Sequence, residues 1–171
     1  MRLRQGGRTA RFVVAVLLGA CVGASLGSAE SLIHKRAPEF ARRQFNGRTL
    51  DLANYRGKVV LLNFWATWCA PCLVEMPVFA AWQRQYGAQG LQVIGISMDD
   101  DAAPARKLAE RLKLDYPVAL GDAQLGNLYH GVLGLPLTML IDRNGIVRAQ
   151  YLGETDLKKI EMRLKPLLRL H

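Results

Sequence analysis

The sequence predicts an α/β fold: a central mixed β-sheet flanked by helices, with an N-terminal β-hairpin extension. Three observations lead there. Two near-continuous apolar runs, at residues 58–65 and 91–98, have the pattern of strands buried on both faces. Each run is followed by sequence with helical apolar spacing. The final third holds two strand-like segments about an Asn-Gly turn, and then an amphipathic helix.

Taken in order, Asn46-Gly47 is a tight-turn dipeptide between residues 43–45 and 48–52, which predicts a short hairpin. Residues 58–65 form the first buried strand. Helical sequence runs from about Pro71 to Tyr86 and stops near Gly87, with Pro77 expected to kink it. Residues 91–98 form the second buried strand. Residues 103–112 carry Leu108, Ala109 and Leu112 at helical spacing. A short strand follows at 116–120 and a helical turn at 125–129. Residues 138–142 and 146–151 flank Arg143-Asn144-Gly145 as a hairpin. Thr155 is the expected N-cap of a last helix reaching about Leu168, with Leu157, Ile160, Leu164, Leu167 and Leu168 on one side. Strand, helix, strand, helix, then a hairpin and a helix is the thioredoxin order. No internal repeat or low-complexity segment interrupts it.

The chain has 171 residues, of which 50% are hydrophobic, enough for the core of one domain. The net charge of +9 is concentrated at the start: Arg2, Arg4, Arg8 and Arg11 precede the first acid, Glu30. From Glu30 onward 19 basic residues face 14 acidic ones. The late cations are scattered among acids and form no stripe with aromatics, so a nucleic-acid partner is not expected.

The first residues read as an export signal. An Arg-rich start is followed by the uncharged run Phe12-Val-Val-Ala-Val-Leu-Leu-Gly-Ala20. As helix, that run spans only about 14 Å, against roughly 30 Å for a bilayer core. Three forms stay open. Gly27-Ser28-Ala29 suits ordinary signal cleavage, Leu18-Gly19-Ala20-Cys21 resembles a lipobox, and the uncharged stretch extended to Ala29 could serve as an anchor. All three place the domain outside the cytoplasm, and no twin-arginine signal is present. The expected organisation is residues 1–29 as signal, lipoprotein signal or anchor, 30–36 as linker, and 37–171 as one thioredoxin-like domain.

Trp68-Cys69-Ala70-Pro71-Cys72 stands where a buried strand turns into a helix. A thiolate attacks disulfides, and a helix N-terminus favours the anion through its free N–H groups and dipole. Spacing of two lets the second sulfur reach the first. Pro71 suits a first helical turn. Cys69 is therefore expected as the exposed nucleophile and Cys72 as the shielded resolving thiol. A zinc site would need two more ligands, and only the scattered His34, His130 and His171 are on offer. A purely structural bridge at this spacing would close almost no loop. No metal is expected at the pair.

Asn63-Phe-Trp-Ala-Thr-Trp-Cys-Ala-Pro-Cys72 resembles the active-site segment of the TlpA/ResA-like thioredoxin family. Arg56-Gly57-Lys58 before it, Glu75-Met-Pro77 after it, and Gly134-Leu-Pro136-Leu-Thr-Met-Leu-Ile-Asp142 agree in the same order. The resemblance covers about residues 37–168. It implies a cis proline at Pro136 facing the cysteine pair, which leaves the preceding backbone free to pair with an extended substrate. An ordinary trans proline at a strand start is the alternative. It also implies a functional Glu75, able to accept or relay the Cys72 proton. On spacing alone, a solvated surface glutamate is the better reading of Glu75. Asn63 stands where thioredoxin itself carries a buried aspartate, which leaves the pair without another nearby base. Trp65 and Trp68 are expected to pack around the site, with Trp68 and Pro71 at the substrate and Leu135 tuning partner choice.

The expected activity is thiol–disulfide exchange with disulfide-containing envelope proteins, in the reducing direction. The resemblance implies cytochrome c maturation or thiol upkeep as roles. No organic cofactor is expected. A membrane partner would carry electrons from the cytoplasm, and the expected state is a monomer. Thiol oxidase or isomerase activity is the nearest alternative. Two others come from different classes. A peroxiredoxin would carry threonine three residues before its cysteine, where this chain has Ala66. A copper-delivery module would pair the cysteines with a distal histidine such as His130, and the two-residue cysteine spacing argues against it.

Overall fold

A computed structural model describes residues 31–129 and 134–169. The export segment with Cys21, and His130 and His171, lie outside the described residues.

Among the described residues the main sheet has five strands in the order β5-β4-β3-β6-β7. These are β3 (Val59–Trp65), β4 (Leu91–Ser97), β5 (Val118–Leu120), β6 (Leu137–Ile141) and β7 (Val147–Leu152). β3 and β4 are parallel, as are β4 and β5, whereas β6 runs antiparallel to both β3 and β7. The sheet is therefore mixed, with β3 at its centre. Every residue of β3 is buried. Val59, Leu61 and Trp65 join one core cluster, and Val60, Leu62 and Phe64 join the other. This is why the apolar run shows no alternation: both faces of the strand are dry.

Helices α1 (Ala70–Tyr86), α2 (Ala102–Arg111) and α4 (Leu157–Arg169) contribute to the first cluster, through Met76, Phe79, Leu108, Ile160 and Leu164 among others. Helix α3 (Ala123–Leu128) contributes Leu125 to the second, together with Phe40, Leu50 and Leu52 from the N-terminal region. α1 continues through Pro77, and α4 through Pro166.

The N-terminal hairpin is β1 (Ala41–Arg43) with β2 (Thr49–Asp51), closed by a turn in which Gly47 has φ +85°. Its paired strands sit up to two residues earlier than expected at β1. The residues after β1 instead extend the main sheet: Phe45 N–H donates to the Val118 carbonyl, and Gln44 bridges Ala119. Residues 31–36, expected as linker, run beside the start of β7. His34 N–H donates to the Val147 carbonyl, Val147 N–H donates to Lys35, and Leu32 is buried. The last helix is capped by Asp156 rather than Thr155. The Asp156 carboxylate accepts from Lys158 N–H at 2.9 Å, while the Thr155 hydroxyl donates to the Gly153 carbonyl.

Candidate active site

The site is built at the C-terminal end of β3. Residues 66–69 leave the strand in a turn closed by Cys69 N–H donating to the Ala66 carbonyl at 3.1 Å. Helix α1 then begins, with Cys69 as its N-cap and Pro71 in the first turn. Cys69 and Cys72 form a disulfide, with Cα atoms 5.3 Å apart. Cys72 N–H donates to Cys69 Sγ at 3.3 Å, so the first sulfur is held at the positive end of α1. Cys69 is only 4% exposed and Cys72 fully buried. The exposed sulfur expected at Cys69 is thus largely covered in this disulfide form, because the bond ties it to Cys72 inside the core cluster. The order of accessibility still runs from Cys69 to Cys72.

Trp65 and Trp68 divide. Trp65 is fully buried, and its indole lies against Gly95, where a Cβ would stand 3.1 Å from Nε1. Trp68 is 72% exposed, next to the cysteines in sequence.

Pro136 precedes β6, and its bond to Leu135 is cis. Leu137 pairs with Phe64, so Pro136 stands beside the end of β3 from which the cysteine turn departs. Leu135 is partly buried and touches both core clusters. The Pro136 carbonyl accepts from Gly153 N–H at 2.8 Å, which ties this loop to the segment after β7.

Glu75 is 3% exposed, which rules out the surface reading. It lines a cleft of about 280 Å³ with Pro71, Val74, Glu154 and Thr155. Burial pushes its carboxyl up, a hydrogen bond from the Thr155 backbone N–H lowers it, and the charge of Glu154 raises it; the balance is about 7. Its Oε2 is buried with no hydrogen-bond partner among the described residues. A carboxyl poised near neutrality, one helical turn from Cys72, can take up or release a proton at physiological pH.

Asn63 is fully buried in β3 and donates from Nδ2 to the Thr138 hydroxyl at 3.0 Å, while its Oδ1 has no partner among the described residues. It is neutral and cannot serve as a base.

One group escaped the sequence reading. Asp99, just past β4, accepts hydrogen bonds from Thr67 two residues before Cys69. Thr67 lies inside the cysteine motif, but nothing local to Asp99 marks it as belonging there.

Known proteins resemble this chain over most of its length. The model of the AhpC/TSA family matches residues 33–150. The chain belongs to the AhpC/TSA family. It is 31% identical over 163 residues to the thiol-disulfide oxidoreductase ResA of Bacillus anthracis, covering 92% of this chain and 94% of that protein. It is 37% identical over 132 residues to ResA of Geobacillus thermodenitrificans, covering 77% and 75%. Among solved structures, a Chlorobium tepidum protein provisionally described as thiol:disulfide interchange protein DsbE superposes with a TM-score of 0.75 at 34% identity. That match covers 81% of this chain and 99% of that one. This AhpC/TSA-family chain has the thioredoxin fold and is a thiol–disulfide oxidoreductase of the ResA type, with Cys69 and Cys72 as its cysteine pair.

Proposed function

We propose that this chain is an extracytoplasmic disulfide reductase acting on envelope proteins, with Cys69 as attacking sulfur and Cys72 as resolving sulfur. The observation that carries the reading is the asymmetry of the pair. Cys69 Sγ sits at the start of α1 and accepts from Cys72 N–H, while Cys72 is the more deeply buried of the two. In the dithiol form the Cys69 thiolate attacks one sulfur of the substrate disulfide. A mixed disulfide forms, and the other substrate sulfur leaves as thiolate. Cys72 then loses its proton and attacks Cys69, which frees the second substrate sulfur and closes the Cys69–Cys72 disulfide. Two electrons pass to the substrate. Glu75 takes the Cys72 proton and returns it to solvent or to the leaving sulfur.

Trp68, Pro71, Leu135 and Pro136 contact the incoming chain, with the Leu135 backbone pairing with an extended segment. Electrons are returned by a membrane dithiol partner that draws reductant from the cytoplasm. Cytochrome c maturation or general thiol upkeep would each use this reaction. Support for an envelope location comes from the Arg-rich start followed by the apolar run from Phe12.

The test is partner trapping in intact cells. A Cys72→Ser variant should accumulate mixed disulfides through Cys69 to extracytoplasmic proteins, which are then identified by mass spectrometry. Recovery of cytoplasmic partners alone, or trapping equally strong with Cys69→Ser, would overturn the reading.

A further inference from the structure

The turn that delivers Cys69 is fastened from outside its own helix. Asp99 stands two residues beyond the end of β4, and Thr67 two residues beyond the end of β3. Thr67 N–H donates to both Asp99 carboxylate oxygens at 3.1 Å, and the Thr67 hydroxyl donates to Oδ1 at 2.6 Å. From the other side, the Ser97 hydroxyl donates to Oδ2 at 2.7 Å and accepts from Asp99 N–H at 3.2 Å. Met98 N–H donates to the Trp65 carbonyl at 2.7 Å, continuing the strand pairing up to the turn. Asp99 is half-buried, which strengthens bonds to its charge. Of the acids that follow, Asp100 and Asp101 are exposed, and Asp101 caps α2 through Ala103 N–H. Only Asp99 faces the cysteine turn.

We infer that Asp99 is a positioning residue for thiol–disulfide exchange: its carboxylate holds Thr67 so that Cys69 Sγ stays at the start of α1 within reach of the Cys72 N–H. The inference rests on Cys69 being the attacking sulfur. Its weight is greatest in the dithiol form. While the disulfide is closed, the S–S bond itself keeps Cys69 beside Cys72. Once reduced, that tie is gone, and the position of the thiolate depends on the turn at residues 66–69. The clamp on Thr67 then maintains the N–H contact that stabilises the anion. Alanine at position 99 removes both acceptor oxygens. Glutamate keeps the charge but sets it one methylene too far out. Asparagine turns one of the two acceptors facing Thr67 N–H into a donor.

The experiment follows alkylation of the reduced full-length protein against pH, with the modified cysteine mapped by mass spectrometry. Reduction of a disulfide peptide is followed alongside. Asp99→Ala should slow reduction about tenfold, the scale of one charge-assisted hydrogen bond, and move the Cys69 alkylation midpoint to higher pH by about one pH unit. Asp99→Glu should behave like Asp99→Ala, because position and not charge is at stake. Thr67→Ser should match the parent, and Thr67→Val should fall between parent and Asp99→Ala. Parental rates and alkylation profiles in Asp99→Ala would overturn the inference, and so would a parental Asp99→Glu beside a defective Asp99→Ala. If Asp99→Ala does not fold, Thr67→Val against Thr67→Ser decides, and a parental Thr67→Val overturns it. Alkylation of Cys72 ahead of Cys69 in the unsubstituted protein would instead overturn the assignment of Cys69, whatever Asp99 does.

Discussion

Cys72 N–H points at Cys69 Sγ from 3.3 Å, so the sulfur that caps helix α1 is bonded to the residue whose sulfur would resolve it. One backbone donor is thus placed to stabilise negative charge on Cys69, and among the described residues none is directed in the same way at Cys72. In the reduced protein the Cys69 thiol should ionise at lower pH than the Cys72 thiol. Single-cysteine variants titrated by alkylation check this. Cys69→Ser should also abolish disulfide reduction. A Cys72 that ionises first would reverse the two roles.

Glu75 couples stability to pH. Its folded-state carboxyl is raised from 4.5 to about 7. Between those values the folded protein holds a proton that the unfolded chain has released, so stability falls as pH rises through that window and stays reduced above it. Glu75→Gln removes the effect. The variant should match the parent near pH 4 and exceed it above pH 7 by on the order of 2–3 kcal/mol in urea denaturation of the disulfide form. The same variant should exchange thiols more slowly near neutrality. A stability difference independent of pH would mean that Glu75 is not held near neutrality.

Asn63 and Thr138 bond across β3 and β6 inside the core. Asn63→Ala would leave the Thr138 hydroxyl buried without that partner and open a small cavity. A loss of about 2–3 kcal/mol is expected, measured by chemical denaturation. A loss below about 0.5 kcal/mol would show the pair to be energetically idle.

The charges around the pair favour the proposed reducing direction. Ala70 and Pro71 bring none between the cysteines, and Glu75, when ionised, opposes a thiolate. Under the proposed reductase reading the disulfide should be relatively favoured, making the dithiol a good electron donor. Equilibration with glutathione should place the midpoint below roughly −200 mV. A midpoint near roughly −120 mV would make the protein an oxidase.

Export is checked by cell fractionation and intact mass. The domain should lie outside the inner membrane. Loss of residues 1–29, lipid mass on Cys21, or an intact chain held in the membrane distinguishes the three forms. A cytosolic protein retaining Met1 would end the export proposal.

Features with local causes are legible in the amino-acid order. A strand buried on both faces is apolar at most of its positions, so β3, despite Asn63, and β4, despite Gln92 and Ser97, were readable without any partner in view. A cysteine pair between a buried strand and a helical segment specifies its own place at a helix start, because the N–H groups that meet Cys69 belong to the next few residues. Boundaries were less secure where neighbouring residues compete. Asp156 displaces Thr155 as cap of α4, since its carboxylate reaches Lys158 N–H while the Thr155 hydroxyl turns to the Gly153 carbonyl.

Tertiary structure alone decided what surrounds the pair. Glu75 has the spacing of a surface residue, and its carboxyl is raised chiefly because burial desolvates it, in a cleft that the segment around Thr155, arriving after β7, helps to line. Asp99 reaches Thr67 only because β3 and β4 pair in parallel with Trp65 opposite Ser97. Pro136 arrives beside the cysteine turn only because β6 pairs with β3 through Leu137 and Phe64. The physical reason is the same in each case. Burial and hydrogen bonding are made between segments far apart in the chain, and their register is set when the sheet assembles.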